Sequence, residues 1–465
     1  MKKWTFAFLY FINLISYSQA LNGKLTKAIS EMEADPQLRH AIIGLCVMDN
    51  KTGKLIYEHN AQTGLAPAST QKIFTSCAAF DLLGKDYKYT TEIGYYKQDV
   101  NSTQGYLIIK PSGDPSFGSS RFASTKPVLI LQKIANAVRQ KKAVTFSNAY
   151  RIIDTAFSNA VPGGWVWEDI GNYYGAGAQS LNWLENQYDI VLKSGKRVGD
   201  KVAVVETKPG SITNLADNVK SAAKGTGDNT IVYLDYGNSV SMIEGTIPVD
   251  ENAYFVGASI TDPPGIFAQQ LSDKLKADGI EMNDDKSTHP QIIKSADPVF
   301  NYTELYTYFS PPLDSLNYWF LKKSINLYGE AFLKTMAFQK SGLGSTEKGV
   351  ELLKDFWSQH GIEKSALNIC DGSGLSPQNR VTADALVKAL QYARTRSWFN
   401  SFYTALPEYN GMKMKSGSIG GARAYAGYHT AKDGNAYSFA IIINNYDGAP
   451  GDTVKKMFRL LDNLK

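Results

Sequence analysis

The chain predicts an α/β protein of the α+β kind, in which one sheet flanked by helices is interrupted by a long insertion. Three observations carry this. Strand and helix signals between residues 42 and 84 are matched by strand and helix signals between 412 and 464. The stretch from 188 to 248 changes to short β-rich runs between Gly, Lys and Asp turns, and long helical patterns follow residue 297. The two ends complete one sheet with helices on it, and the middle is then inserted.

Ile42–Met48 and Leu55–Tyr57 read as strands about the turn Asp49-Asn50-Lys51-Thr52-Gly53. A helix begins near Ser69, and Gly84 stands where a C-cap belongs. Strand signals run from Tyr89 to Ile109, helical periodicity from about 125 to 142, and strand again at Tyr150–Ile153. Ile190–Leu192, Val202–Val205, Thr230–Leu234 and Met242-Ile243 form the β-rich module, followed by a helix from about Gly265 to Asp278 and a boundary at Thr288-His289-Pro290. Leu313–Phe338, Glu347–His360 and Thr382–Arg394 read as long helices. Strands at Met412–Lys415, Ala422–His429 and Tyr437–Asn445 and an amphipathic helix at Thr453–Leu464 close the chain.

Lys2 and Lys3, an apolar core from Trp4 to Tyr17 and the small-x-small Ser18-Gln19-Ala20 read as a secretory leader over 1–20, so the expected location is the periplasm or cell-wall space. That core is short of the roughly 20 apolar residues of a span, and no second span follows, so no stable membrane anchor is expected after cleavage. The formal charge is +5, or +3 without Lys2 and Lys3, with lysines scattered, which leaves no footprint for nucleic acid. Cys46, Cys77 and Cys370 are an odd count in apolar segments and read as buried free thiols. His40, His59, His289, His360 and His429 are far apart and form no metal-binding string, so no metal or cofactor is expected. Asn101-Ser102-Thr103 matches a glycosylation acceptor, a string that matters only in a chain glycosylated on export.

The chemistry begins at Ser69-Thr70-Gln71-Lys72, which opens the apolar run Ile73–Phe80. A serine and a lysine one helical turn apart share a face, and a desolvated amine can take the proton that makes an alcohol a nucleophile. The string alone is common. Ser221–Lys224 lies in a polar stretch, and Ser345 reads as the N-cap of a solvent-facing helix; only Ser69 leads into a helix apolar enough to be buried. Acyl transfer by such a pair also needs a second hydroxyl, a side-chain amide and a cationic strand edge, the S-x-N and K-T-G elements. Ser324-Ile325-Asn326 lies in a long helical segment, and Lys415-Ser416-Gly417-Ser418 ends a strand before Gly420-Gly421. The other K-[ST]-G strings, at Lys51, Lys193 and Lys340, read as two hairpin turns and a helix cap.

With these blocks in order, and with Gly113-Asp114-Pro115, Gly164-Trp165-Val166-Trp167-Glu168-Asp169, Tyr173-Tyr174-Gly175-Ala176 and Asp371-Gly372-Ser373-Gly374-Leu375-Ser376, the sequence resembles the class C penicillin-binding proteins of low molecular mass, the D-alanyl-D-alanine carboxypeptidases and endopeptidases. The resemblance implies a β-lactamase/transpeptidase-like domain, an antiparallel sheet with helices plus an all-helical part, carrying two inserted domains, one nested in the other. The expected parts are 21–92 and 297–465 for that domain, 93–187 and 249–296 for the first insertion, and 188–248 for the nested one. Spacing agrees, with 255 residues from Ser69 to Ser324 and 89 from Asn326 to Lys415. It also implies a serine peptidase that forms an acyl-enzyme on Ser69 and trims or cleaves peptidoglycan stem peptides, with β-lactams as covalent inhibitors. Lys72 would be the base, Ser324 the proton relay, Asn326 the amide holder and Lys415 the cation. Ser416, Gly417 and Ser418 would bind substrate, with the Ser69 and Ser418 N–H groups as oxyanion donors. Ser416 stands where threonine is common.

Asp371 and the Trp165–Asp169 block read as structural, the first as a turn and the second as packing between domains. Two other readings use the same residues. A β-lactamase or esterase would need a group to position water, and the chain has no E-x-x-L-N string. A catalytically idle wall-binding module would have no reason to keep Lys72, Ser324, Asn326 and Lys415, groups costly to bury.

Overall fold

The computed structural model of the chain describes residues 20–97, 104–140, 145–147, 150–158, 161–210, 215–235, 240–280, 282–283, 291–293 and 301–465. Save for Ala20, the leader lies outside the described residues, as do the Asn101 acceptor and the 288–290 boundary. The described chain divides into two compact units. One comprises residues up to Leu82 with Asn317–Ser324 and Val350–Lys465, the other Leu83–Leu316 with Ile325–Gly349.

The first unit is built on a six-stranded antiparallel sheet. Its strands are β1 (Ile42–Asp49), β2 (Leu55–His59), β3 (Glu408–Tyr409), β4 (Met412–Ile419), β5 (Ala422–Thr430) and β6 (Ala436–Asn444), in the order β3-β4-β5-β6-β1-β2. The two ends of the chain thus meet at β1 and β6, with Ile43 opposite Ile443 and Val47 opposite Phe439. Both central strands are buried on both faces, which is why Phe439–Ile443 is a continuous apolar run rather than an alternating one. Helix α1 (20–33) supplies Leu21, Leu25 and Ile29 to a core with Leu45, Met414, Phe439 and Ile441. Each such side chain contributes roughly 1.5–3 kcal/mol. Helix α2 (Lys72–Leu82) and α3 (Ala383–Arg394) pack together, and α3 lies on β1 and β6. Thr382 caps α3 by accepting from the Ala385 N–H at 3.1 Å. Helix α4 (Pro450–Leu461) starts with proline at its first position and adds Met457, Leu460 and Leu461 to the core shared with α1.

The second unit contains a seven-stranded sheet that includes Thr90–Tyr96, Gln104–Pro111 and Thr303–Phe309, with helices Pro127–Gln140 and Pro263–Ala277 contributing to its core around Phe117, Trp183 and Phe267. It also contains two three-stranded sheets. One joins Tyr254–Ser259, Gln187–Lys193 and Ala203–Lys208, the other Asn229–Tyr233, Ser241–Pro248 and Leu215–Ala222. Ile190, Leu192, Val219, Val232 and Ile243 share one core. No helix among the described residues is long and apolar enough to cross a membrane.

The sequence reading is corrected at several points. The segment read as one helix over Leu313–Phe338 is two, Leu313–Lys322 and Asn326–Ser341, broken at Ser324, whose φ is 59°. No glycine or proline marks the break; its visible signal is Lys322-Lys323, cations at the negative end of a helix. Strand β4 runs on to Ile419, so Lys415–Ser418 lie inside it rather than at its end. The strands Leu215–Ala222, Tyr254–Ser259 and Thr303–Phe309 and the helix Phe399–Ala405 escaped the sequence reading, the first because its polar residues come in adjacent pairs, Asp217-Asn218 and Lys220-Ser221, rather than alternating. Ser345 does cap its helix, accepting from the Lys348 N–H at 3.2 Å, but that helix buries Leu353, Phe356 and Trp357 rather than facing solvent. Cys46 and Cys77 are buried free thiols, whereas Cys370 is half-buried.

Candidate active site

Ser69 lies in one turn of 3-10 helix, Ala68–Gln71, that runs into α2 at Lys72. Such a turn eclipses residues three apart, which stacks the Ser69 and Lys72 side chains. Lys72 Nζ is 3.0 Å from Ser69 Oγ, within reach of direct proton transfer. Ala68 precedes the serine with φ of 45°, a left-handed conformation that costs an alanine about 1–2 kcal/mol. Every residue of α2 from Lys72 to Phe80 is buried, and Lys72 has no exposed surface.

The loop 371–376 fixes this pair from the other side. Lys72 Nζ donates to the Ser373 carbonyl at 2.7 Å, and Thr75 Oγ1 donates to the Gly372 carbonyl at 2.7 Å. The loop is in turn organised by the buried Asp371 carboxylate. Its Oδ1 accepts from Gln71 Nε2, the Gly374 N–H and Asn379 Nδ2 at 2.8–3.0 Å, and its Oδ2 from the Ser376 N–H at 2.7 Å. A carboxylate so occupied holds a turn, which agrees with the structural reading. Gly374 has φ of +83°, and a Cβ there would meet the Ala68 carbonyl at 2.0 Å.

Strand β4 lies against the nucleophile turn. A Cβ on Gly417 would stand 2.3 Å from the Pro67 carbonyl oxygen and 3.1 Å from the Thr70 nitrogen, so only glycine lets the strand come this close. Two residues earlier Lys415 is buried, its Nζ donating to the Ser416 carbonyl at 2.8 Å. Burial, and after it the charge of Lys72, push the Lys415 amine well below the usual lysine range. Folding therefore favours the neutral amine, while the unfolded chain stays protonated up to about pH 10.4. Between the lowered folded value and that pH the unfolded chain binds more protons, so stability rises with pH and the gain is absent below the folded value. Lys415→Met is expected to flatten that rise in urea titrations from neutral pH to about pH 10. An unchanged slope would mean that Lys415 titrates alike folded and unfolded.

Ser324 is half-buried at the end of the stretch Asn317–Ser324, which is anchored on α2. Ser76 Oγ donates to Asn317 Oδ1 at 2.7 Å, and Lys72 Nζ lies 5.8 Å from the centre of the Phe320 ring. The first unit thus holds Ser69, Lys72, Ser324 and Lys415–Ser418. Asn326 belongs to the second unit, where it is buried and its Nδ2 donates to the Tyr174 carbonyl at 2.8 Å. Tyr328, two residues on, donates to Glu185 at 2.7 Å, and Arg121 binds the same carboxylate at 2.9 Å. The Trp165–Asp169 block packs on a strand of this unit, with the Trp167 ring 4.7 Å from that of Tyr233. Sequence reasoning missed Gln71 and Thr75, which tie the nucleophile turn and α2 to the 371–376 loop, and Phe320 and the Ser373 carbonyl, which face Lys72. Thr75 follows Gln71 by four positions and Lys72 by three, the helical spacing that could have found it. Among the described residues no group of His, Cys, Asp or Glu side chains could hold a metal ion.

The model of the D-Ala-D-Ala carboxypeptidase 3 (S13) family matches residues 25–408. The chain belongs to that family. It is a serine-type D-Ala-D-Ala carboxypeptidase by membership, as the resemblance to class C penicillin-binding proteins implies. The matched span ends before Lys415, so strand β4 is joined to the site by the geometry above. Among curated relatives, the D-alanyl-D-alanine carboxypeptidase of Actinomadura sp. (strain R39) is 24% identical, over 93% of this chain and 83% of its own. The D-alanyl-D-alanine carboxypeptidase DacB of Haemophilus influenzae is 22% identical, over 90% and 88%. Among solved structures, penicillin binding protein 4 (dacB) of H. influenzae superposes with a TM-score of 0.76 at 19% identity, covering 95% of this chain and 98% of that one. The mixed fold of antiparallel sheets and helices is therefore that of this S13 relative.

Proposed function

We propose that this S13 carboxypeptidase hydrolyses peptidoglycan stem peptides in the cell-wall space through an acyl-enzyme on Ser69, and that β-lactams acylate the same oxygen. The observation that carries the reading is the 3.0 Å contact between Ser69 Oγ and the buried Lys72 amine, with Gly417 of β4 packed on the same turn. A complex of the H. influenzae protein with a β-lactam supports the inhibitor class.

Ser69 Oγ attacks the carbonyl carbon of the penultimate D-Ala as its proton passes to Lys72 Nζ. Backbone N–H groups of Ser69 and Ser418 receive the charge that develops on the carbonyl oxygen, donors worth roughly 3–4 kcal/mol each. The C–N bond breaks as Ser324 Oγ gives its proton to the leaving amine of the terminal D-amino acid and takes in its place the proton that Lys72 received from Ser69. Water then attacks the ester, its proton returning through the same groups, and Ser69 is regenerated. Asn326 holds the substrate amide, Lys415 keeps the site cationic and the serine oriented, and the Ser416 and Ser418 hydroxyls bind the terminal carboxylate. The lowered Lys415 pKa means that this cation is lost at a lower pH than an ordinary lysine's, so binding of an anion weakens as pH rises.

The test incubates the protein and its Ser69→Ala variant with a stem pentapeptide, cross-linked muropeptides and a fluorescent penicillin, followed by mass spectrometry. Release of D-Ala from the pentapeptide and a penicillin adduct on Ser69, both absent in the variant, are expected. Cleavage of the cross-links adds endopeptidase action, and rapid penicillin turnover without an adduct would overturn the reading in favour of a β-lactamase.

A further inference from the structure

Ser416 occupies a position where a β-branched residue would have its χ1 angle restricted by its own methyl group, whereas a serine hydroxyl is free to turn among three staggered positions. In this protein the hydroxyl has a partner at the sheet surface, the exposed Tyr409. Ser416 Oγ donates to Tyr409 Oη at 3.3 Å. Tyr409 is itself held on three sides. It is joined to β4 by the two-residue turn Asn410-Gly411, in which both residues have positive φ (50° and 69°), the tight hairpin geometry that leaves the strand ends little play. That turn is tied to the C-terminal end of the chain by Asn410 Nδ2, which donates to Asp462 Oδ1 at 2.9 Å. The phenol ring meets Tyr425 edge-on, with centroids 5.9 Å apart, and Tyr425 lies 5.1 Å from the ring of Phe458. Tyr425 is the cross-strand partner of Ser416, so the serine and both tyrosines share one face of the sheet.

We propose that Tyr409 is a positioning residue for recognition of the substrate's terminal carboxylate, using its rigidly mounted hydroxyl to set the rotamer of Ser416 in place of a methyl group. The proposal rests on the reading of Ser416 as a carboxylate ligand. When a carboxylate accepts the Ser416 proton, the hydrogen bond to the tyrosine reverses, Tyr409 Oη–H donating to Ser416 Oγ, so that no lone pair or hydrogen is stranded and the serine becomes a better donor. Neither Tyr409 nor its hydroxyl touches the reacting carbonyl. Its loss therefore weakens binding of substrate and transition state alike, a change in KM rather than in kcat.

Tyr409→Phe keeps the aromatic contacts and removes only the hydroxyl. It is expected to raise KM for D-Ala release from a pentapeptide about fivefold, the equivalent of one hydrogen bond, with kcat within about twofold of the parent. The second-order rate of acylation by penicillin, which presents its own carboxylate, should fall by the same factor. Adding Ser416→Thr to the phenylalanine variant should bring both values back to within about twofold, because the threonine methyl restores the rotamer restraint. Unchanged KM and acylation rate in Tyr409→Phe, or failure of the threonine to rescue a loss, would overturn the role of Tyr409 while Ser69→Ala inactivity still upheld the carboxypeptidase reading. Absence of both D-Ala release and acylation in the parent protein would overturn the two together.

Discussion

Replacing Lys72 by methionine is expected to slow acylation of Ser69 by about 10²- to 10⁴-fold, the range that a positioned general base contributes. Methionine approximates the length of the lysine stem without the amine, so the buried slot stays filled and the protein should fold. What disappears is the 3.0 Å acceptor for the Ser69 proton, together with the hydrogen bond to the Ser373 carbonyl. The measurement is the second-order rate of fluorescent penicillin attachment, with mass spectrometry to locate the adduct. The same substitution also removes the charge that helps to depress the Lys415 amine, so the alkaline stability slope should change in parallel. Acylation within tenfold of the parent rate, in a folded Lys72→Met protein, would show that some other group takes the proton.

The second large effect is expected at Asp371, which never touches the nucleophile. Asp371→Ala removes the carboxylate that accepts from the buried Gly374 and Ser376 N–H groups, and it takes one of two acceptors from Gln71 Nε2 and Asn379 Nδ2, which keep the carbonyls of residues 371 and 376. Unsatisfied buried donors cost about 1–3 kcal/mol each, less where the loop can relax, so a loss of roughly 4 kcal/mol in urea unfolding is expected. Acylation should fall with it, because the loop that Asp371 organises presents the Ser373 and Gly372 carbonyls to Lys72 and Thr75. A variant with parental stability and no acylation would instead make Asp371 a participant in the chemistry.

These two residues also mark what could and could not be read from the chain alone. The Ser69–Lys72 pair was legible because its geometry is local: three residues apart, before an apolar run, one turn of helix suffices. The sheet was legible because β1, β5 and β6 are central and their apolar runs are unmistakable. The break at Ser324 was not, since neither glycine nor proline stands there and a φ of 59° is uncommon for a serine. Nor was the union of Lys72 with Ser373, 301 residues apart, or of Ser416 with Tyr409, whose meeting depends on a hairpin and on which face of β4 each side chain occupies. Short-range chemistry survives in sequence as a motif, while its supporting contacts are long-range and leave no fixed spacing.

The turns at the two ends of β4 have one more implication. Tyr409 pairs with Met412 across Asn410-Gly411, and Ile419 pairs with Ala422 across Gly420-Gly421, so two residues separate the strands at either end. Successive side chains in a strand point to opposite faces, and a shift by one position would exchange the whole set. With both loops at minimal length, the phase of Lys415 and Gly417 is locked like a reading frame. A one-residue slip of the strand would put Ser416 and Ser418, not Lys415 and Gly417, on the face that Gly417 presents to the Pro67–Thr70 turn.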